Sequence, residues 1–158
     1  MTVELAGTAE RTLPERALPG REFAALYAQA QHFYAHQMRL LDTHDTRRWA
    51  ETFTEDAVLH LPSLPAPVRA HTALAGYVRA GAAHRRRAGS RLEHWVGILD
   101  VQPQTDGSLH TRCSALVHIT PGQGGPKALH VYVMQDVLVR SGGAWRIVRR
   151  RVTRDDLA

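Results

Sequence analysis

The fold is decided by residues 91–120, RLEHWVGILDVQPQTDGSLHTRCSALVHIT, in which two long runs alternate between apolar and polar side chains. Alternation with a period of two is typical of a β-strand with one buried face. The runs 91–102 and 109–120 flank the turn signal TDG at 105–107, so we predict an antiparallel hairpin. Two more alternating runs extend it into a meander, at 129–140 and 145–153, after glycine-containing turns at 121–125 and 141–143.

The residues before this meander show mainly helical spacing. Apolar side chains recur every three or four residues from Phe23, which predicts a long amphipathic helix to about Leu41. A short helix follows, which is capped by Asp45 or Thr46 and runs through Phe53, and then a strand at 58–61. Another helix runs from a cap at Thr72 to about His84 and is followed by a basic loop, AHRRRAGS. Helices followed by a meander predict an α+β domain, with three N-terminal helices on a strongly curved, mostly antiparallel sheet that encloses a pocket.

The length and composition favour a single domain. Of the 158 residues we assign 1–20 to a flexible tail and 21–158 to the folded domain. Cys113 is the one cysteine, which excludes a disulfide within the chain and suits a reducing cytoplasm. No apolar run approaches the ~18 residues of a membrane span, and the N-terminus does not resemble a secretory signal. We therefore expect a cytoplasmic protein without a membrane partner.

The net charge of +5 comes largely from two arginine runs, Arg85–Arg87 and Arg149–Arg151. Nucleic acid is one partner that such charge could indicate. However, the sequence shows no aromatic platform among the charges, and no recognition-helix or zinc pattern. We therefore interpret both runs as surface charge, partly paired with Asp155 and Asp156, and expect no nucleic-acid partner.

Two of the ten histidines, His94 and His118, lie inside apolar strand patterns, where an imidazole needs a partner. If the hairpin turns about Asp106, position 94 lies opposite position 118, and the two rings become cross-strand neighbours. Such a pair could transfer protons near neutral pH or bind a metal. No HxH, HExxH or CxxC spacing is present, so we expect no metal. Each histidine also has an ordinary explanation as a hydrogen-bonded core or rim residue.

Asp45 is the candidate third member of this group. A carboxylate between two helices is commonly an N-cap, but it could also accept a hydrogen bond from an imidazole and fix its tautomer. Cys113 lies on the alternate face of its strand, so we place it in the core. The serines lack the context of a nucleophile elbow, and no phosphate loop or dinucleotide fingerprint occurs, so we expect no cofactor.

The segments WAETFTEDAVLH at 49–60 and GAWRIVRR at 143–150, within residues 22–157, resemble the SnoaL-like family of the nuclear-transport-factor-like cone fold. The resemblance implies a cone-shaped barrel. The fold hosts polyketide cyclases, dehydratases, steroid isomerases, epoxide hydrolases and dioxygenase small subunits, so it specifies the reaction poorly. The nearest chemical likeness is to scytalone dehydratases. Their aspartate and two histidines correspond to Asp45 in HDTRRW, His94 in HWVG and His118 in LVHITP.

The sequence also departs from the dehydratase pattern. The tyrosine before the aspartate is His44 here, and the asparagine on the next strand falls near Met134 or Gln135. The tyrosine on the first strand falls near His60 or Leu61. The resemblance therefore implies that this chain positions its substrate and water differently.

The resemblance implies a cofactor-free lyase, a dehydratase or polyketide cyclase, that acts on an aromatic polyketide-type intermediate. His94 and His118 would transfer the protons and Asp45 would orient one of them. The alternatives are an isomerase or epoxide hydrolase with Asp45 as the direct base, and a non-catalytic module for small-molecule binding or assembly. The predicted cavity-lining residues are Tyr34, Met38, Trp49, Tyr132 and Met134.

We also predict a homodimer. A cone fold of this type leaves one face of its sheet uncovered, and apolar side chains on that face would form the interface. We assign Val133, Trp145 and Ile147 to it.

Overall fold

The computed structural model describes residues 17–69 and 71–155. Most of the predicted tail, 1–16, and Asp156 lie outside these residues. The helices are α1 (Gly20–Asp42), α2 (Thr46–Ala50) and α3 (His71–Ala88). The strands are β1 (Phe53–His60), β2 (Val68–Arg69), β3 (Arg91–Pro103), β4 (Leu109–Thr120), β5 (Ala128–Ser141) and β6 (Ala144–Arg154).

The six strands form one mixed sheet in the order β2-β1-β6-β5-β4-β3. β1 runs parallel to β6, and every other neighbouring pair is antiparallel. The register shifts within three pairings, β1–β6, β3–β4 and β5–β6. Irregularities of this kind bend a strand and increase its twist, which suits a sheet that curls around helices. The predicted α+β cone fold with its antiparallel meander is confirmed.

The junction between α1 and α2 is tighter than predicted. His44 adopts a left-handed backbone conformation, with φ of 61°, and Asp45 then caps α2 by accepting from the Arg48 amide at 3.3 Å. The prediction that α2 continues through Phe53 is wrong. Phe53 begins β1, where it pairs with Ile147 of β6 and is completely buried, with its ring 4.6 Å from that of Trp49.

The basic segment after His84 is helical, which corrects the predicted loop. α3 continues to Ala88, so Arg85–Arg87 occupy its last turn, where cations favour the helix dipole. Gly89 then adopts a φ of 65°. Its amide donates to the Arg86 carbonyl, and the amide of Ser90 donates to the Arg85 carbonyl. This pair of bonds is a Schellman cap, and glycine supplies the left-handed residue that the cap requires.

The second arginine run alternates between the two faces of β6. Arg149 and Arg151 are exposed, as predicted for surface charge, but Arg150 is buried with 3% of its surface exposed. Neighbouring strand residues point to opposite faces, so a run of three arginines on a strand with one buried face must send at least one inward. The surface assignment is therefore wrong for Arg150.

The uncovered apolar surface differs from the predicted one. Ile147 is completely buried in the core, and the indole nitrogen of Trp145 donates to Gln29 on α1. The outer face of β3, β4 and β5 instead exposes Trp95, Leu116 and Leu129. None of the helices in the described ranges is long and apolar enough to cross a membrane.

Candidate functional site

A cavity of about 570 Å³ lies between the helices and the inner face of the curled sheet. Apolar side chains from α1, α2, α3 and the strands form most of its wall. A smaller groove of about 470 Å³ lies between α1 and β3. His94 and Met38 contribute to both. Of the five residues predicted to line the pocket, Tyr34 lies on the groove, and four lie on the cavity: Met38, Trp49, Tyr132 and Met134.

The most specific polar contact at this cavity joins His94 to Asp42. The ring Nδ1 of His94 lies 2.6 Å from Oδ1 of Asp42, and the His94 amide donates to Oδ2 at 3.3 Å. An ionised carboxylate only accepts, so Nδ1 donates in this bond, and in a neutral ring Nε2 then carries the lone pair. Only 12% of the histidine side chain is exposed. This arrangement fixes the tautomer and orientation of an imidazole that forms part of the cavity wall.

His118 does not join this pair, which corrects the predicted register. His94 pairs with Val117, and His118 pairs with Glu93. Directly paired residues point to the same face of a sheet, so His94 faces the cavity and His118 faces outward. Nδ1 of His118 lies 3.8 Å from Oε2 of Glu93. The cause is a bulge between Gly97 and Asp100, which moves the pairing by one residue and thereby changes the face.

Asp45 is not the carboxylate that meets the histidine. It caps α2, and its Oδ2 lies 3.6 Å from Nη1 of Arg48. Asp42 at the end of α1 is the carboxylate that contacts His94. The sequence did contain a pattern that indicates the position of Asp42. Positions 34, 38 and 42 follow the i, i+4 spacing, which places Asp42 on the same helix face as the predicted cavity residues Tyr34 and Met38.

A buried polar network that no pattern in the sequence predicted crosses the core beside the cavity. Nε and Nη2 of Arg150 donate to the two carboxylate oxygens of Asp136, at 2.9 and 2.7 Å. Nη2 also donates to Oε1 of Gln37 at 2.6 Å. The Tyr34 hydroxyl donates to Asp136 at 2.6 Å and is hydrogen-bonded to the Thr111 hydroxyl. Arg150 also lines the cavity, so this network fixes one part of its wall.

The electrostatics of the network keep its members in defined protonation states. Burial, reinforced by Asp136, raises the pKa of Tyr34 well above its usual value, so the phenol stays neutral and donates. Burial acts to lower the pKa of Arg150, but Asp136 more than offsets this and leaves that pKa raised. The cavity wall therefore carries a permanent cation whose charge is neutralised by a buried carboxylate.

Three further polar atoms near the cavity are buried and have no hydrogen-bond partner in the described part of the chain. They are Nε1 of Trp49, Nε of Arg85 and Nδ1 of His44. Trp49 and Arg85 line the cavity itself. Burial, together with Arg85 and Arg86, lowers the pKa of His44, so this ring is neutral at neutral pH. Unsatisfied buried polar atoms are uncommon in folded proteins, and two of these three belong to side chains that line the cavity.

Cys113 lies in the core, as predicted. Its side chain is completely buried, and burial raises its pKa to about 12. A thiol in this state is a poor nucleophile. Within residues 17–69 and 71–155, no group of three or more His, Cys, Asp or Glu side chains is arranged to hold a metal ion.

Comparison with known proteins connects this geometry to a family. The chain is 30% identical to Aln2 from a Streptomyces species, covering 89% of this chain and 96% of that one, with a TM-score of 0.76. It is 29% identical to ActVI-ORFA from Streptomyces coelicolor, covering 84% and 99%, with a TM-score of 0.74. A Catenulispora acidiphila protein in complex with S-DNPA is 29% identical, covering 84% and 96%, with a TM-score of 0.66.

No curated protein matches the sequence. The family model for the SnoaL-like domain matches residues 22–151, most of the chain and all three helices except the first two residues of α1. This chain is a member of the SnoaL-like domain family.

Proposed function

We propose that this protein is a dehydratase or cyclase that acts on an aromatic polyketide-type intermediate by general acid–base catalysis. The observation that carries the proposal is His94, which lies in the wall of a largely apolar cavity of about 570 Å³ and is hydrogen-bonded to Asp42. A cavity of this size and character suits a small polycyclic ligand held by few polar groups. The similarity to a structure in complex with S-DNPA supports the binding of a small molecule.

In the proposed reaction His94 acts first as the general base and then as the general acid. Nε2 of His94 accepts a proton from the carbon α to a substrate carbonyl, while Asp42 stabilises the imidazolium that forms. The enolate then expels the β-hydroxyl: a carbon–carbon double bond forms, the carbon–oxygen bond breaks, and His94 returns its proton to the leaving oxygen as water. One histidine therefore serves both steps, and the predicted second histidine is not required.

The developing enolate oxygen needs a donor. Trp49 lines the cavity, and its indole N–H is buried and has no partner among the described residues. A donor that is already in place and shielded from water stabilises a developing oxyanion without reorganisation. We assign Trp49 this positioning role in the proposed reaction.

The function is tested by incubating the purified protein with aromatic β-hydroxyketones and measuring the loss of one water by mass spectrometry. S-DNPA binding is measured in parallel by calorimetry. We expect the wild type to bind S-DNPA and to dehydrate at least one β-hydroxyketone, and His94→Ala to bind without turnover. Binding with no dehydration by the wild type would instead support the non-catalytic binding module.

We also propose that the protein is a homodimer through the outer face of β3–β5. Trp95 is 66% exposed and pairs across the strands with Leu116, and Leu129 on β5 is also exposed. Contiguous exposed apolar side chains mark interaction surfaces. Wild-type protein at micromolar concentration should scatter light as a dimer and Trp95→Glu as a monomer, whereas Phe23→Glu on α1 should remain dimeric. A monomeric wild type, or a dimeric Trp95→Glu, would contradict this interface.

A further inference from the structure

Arg85 places a cationic group in the wall of the cavity. It lies on α3 one turn after Gly81, and Tyr77, Gly81 and Arg85 line the cavity together. A Cβ atom at position 81 would come within 3.2 Å of Nη1 of Arg85. The arginine side chain therefore folds back along the helix over Gly81, and the absence of a side chain at 81 makes room for the guanidinium.

Among the described residues this guanidinium has no anionic partner. Its Nε is buried without a hydrogen bond, and within residues 17–69 and 71–155 no carboxylate forms a salt bridge with Arg85. Arg150, the other arginine of the wall, donates to both oxygens of Asp136 and to Gln37. Since a buried donor without a partner is costly, an unpaired arginine in a cavity points to a partner that arrives with the ligand.

The charge of Arg85 persists in this environment. Burial lowers its pKa, and the neighbouring Tyr77 acts in the opposite direction. The pKa of an arginine side chain lies far above neutral, so the group stays protonated at neutral pH. His44, which lies close enough to be affected by Arg85, has a lowered pKa and is neutral there, so it does not compete for an anion as a second cation.

The proposed reaction requires the substrate to lie against His94 in the same cavity. His94, to which Asp42 is hydrogen-bonded, and the guanidinium belong to the same cavity wall, whose remaining surface is mostly apolar. A planar apolar ligand with one anionic end could place that end at Arg85 and its body against the apolar wall. A guanidinium recognises a carboxylate through two parallel N–H···O bonds, which fixes orientation as well as position.

We propose that Arg85 binds a carboxylate of the substrate, and that the substrate class is accordingly a planar aromatic acid. The catalytic part rests on the proposed function, but the recognition of the carboxylate is a binding property that can be measured without turnover.

The experiment compares a matched pair of probes, 2-naphthoate and its neutral analogue 2-naphthamide, by calorimetry at neutral pH. The wild type should bind the acid about 10- to 100-fold more tightly than the amide, the usual range for a hydrogen-bonded charge. Arg85→Gln should bind the two probes equally, and Arg85→Lys should keep part of the preference. Arg86→Gln, which removes an exposed charge one residue away, should behave as the wild type.

Equal affinity of the wild type for the two probes, or no binding of the acid at millimolar concentration, would overturn the assignment. A preference that survives in Arg85→Gln with an unchanged melting temperature would also overturn it. His94→Ala should retain the preference for the acid. A protein that prefers the acid at Arg85 yet dehydrates nothing would disprove the proposed reaction and leave the carboxylate site intact.

Discussion

Asp42→Asn should lower turnover of a dehydrated substrate by about 10²–10⁴-fold, the usual contribution of a general acid–base group, whereas Asp45→Asn should stay within about twofold of the wild type. His94→Gln should lose at least as much as Asp42→Asn. The two aspartates lie three residues apart, but only Asp42 contacts His94.

The physical reason lies in what each carboxylate accepts. Asp42 takes the Nδ1 proton of His94 on one oxygen and the His94 amide on the other. An asparagine carries no charge to stabilise the imidazolium, and its NH₂ must face either the ring nitrogen or the backbone N–H. The ring then adopts the wrong tautomer or turns away. Asp45 accepts from the Arg48 amide as an N-cap, and asparagine caps about as well as aspartate.

The measurement is kcat and KM for the three variants, with melting temperatures determined in parallel. A loss in kcat at nearly constant melting temperature identifies Asp42 as a positioning residue for catalysis rather than a structural one. Retained turnover in Asp42→Asn, or a comparable loss in Asp45→Asn, would refute the assignment of the pair.

The elements of this fold were predictable because their patterns are local. The alternation within 91–120 and the TDG turn gave β3 and β4 nearly to the residue, and helical spacing gave α1. The end of α2 was missed because Phe53 is paired with β6, a contact ninety-four positions away that no local pattern contains. Helix and strand boundaries of this kind are decided by tertiary pairing rather than by propensity.

The candidate site shows how a shift of one residue in register decides which side chains face the cavity. From Pro103↔Leu109 to Asp100↔Arg112 the hairpin follows the pairing that a turn at Asp106 predicts. Beyond the bulge, where Ile98 adopts a φ of 52°, the partner of Gly97 is Ser114, one residue earlier than predicted. Nothing in the sequence required isoleucine to take a left-handed conformation. His94 was therefore identified correctly as a cavity residue, but its supposed partner lies on the other face.

The buried network was hidden for a different reason. Arg150 belongs to a basic run and Asp136 lies on another strand. The local sequence around either residue therefore does not indicate that the two are paired. Their residues pair directly across β5 and β6, and the pair lies beneath Tyr34 and Gln37 of α1. Alternation along β6 indicates that one arginine of the run points inward. The carboxylate that pairs with it can be identified only when the order of the strands in the sheet is known.

The largest stability effect should come from breaking this pair. Arg150→Ala should lower the free energy of unfolding by about 3–5 kcal/mol, because it leaves Asp136 as an uncompensated charge in the core. For a chain of this size the loss corresponds to a fall of roughly 10 °C in melting temperature. Arg151→Ala, at the exposed neighbouring position, should change the free energy of unfolding by no more than about 0.5 kcal/mol.

A second variant distinguishes the ion pair from packing alone. Arg150→Met combined with Asp136→Leu removes both charges and keeps apolar volume, so it should recover much of the stability lost in Arg150→Ala, as replaced buried ion pairs often do. Chemical denaturation of the three variants measures this directly. If Arg150→Ala costs less than about 1 kcal/mol, a value typical of exposed pairs, the network does not hold the cavity wall. If the double variant is no more stable than Arg150→Ala, the loss comes from packing around the guanidinium rather than from the stranded carboxylate.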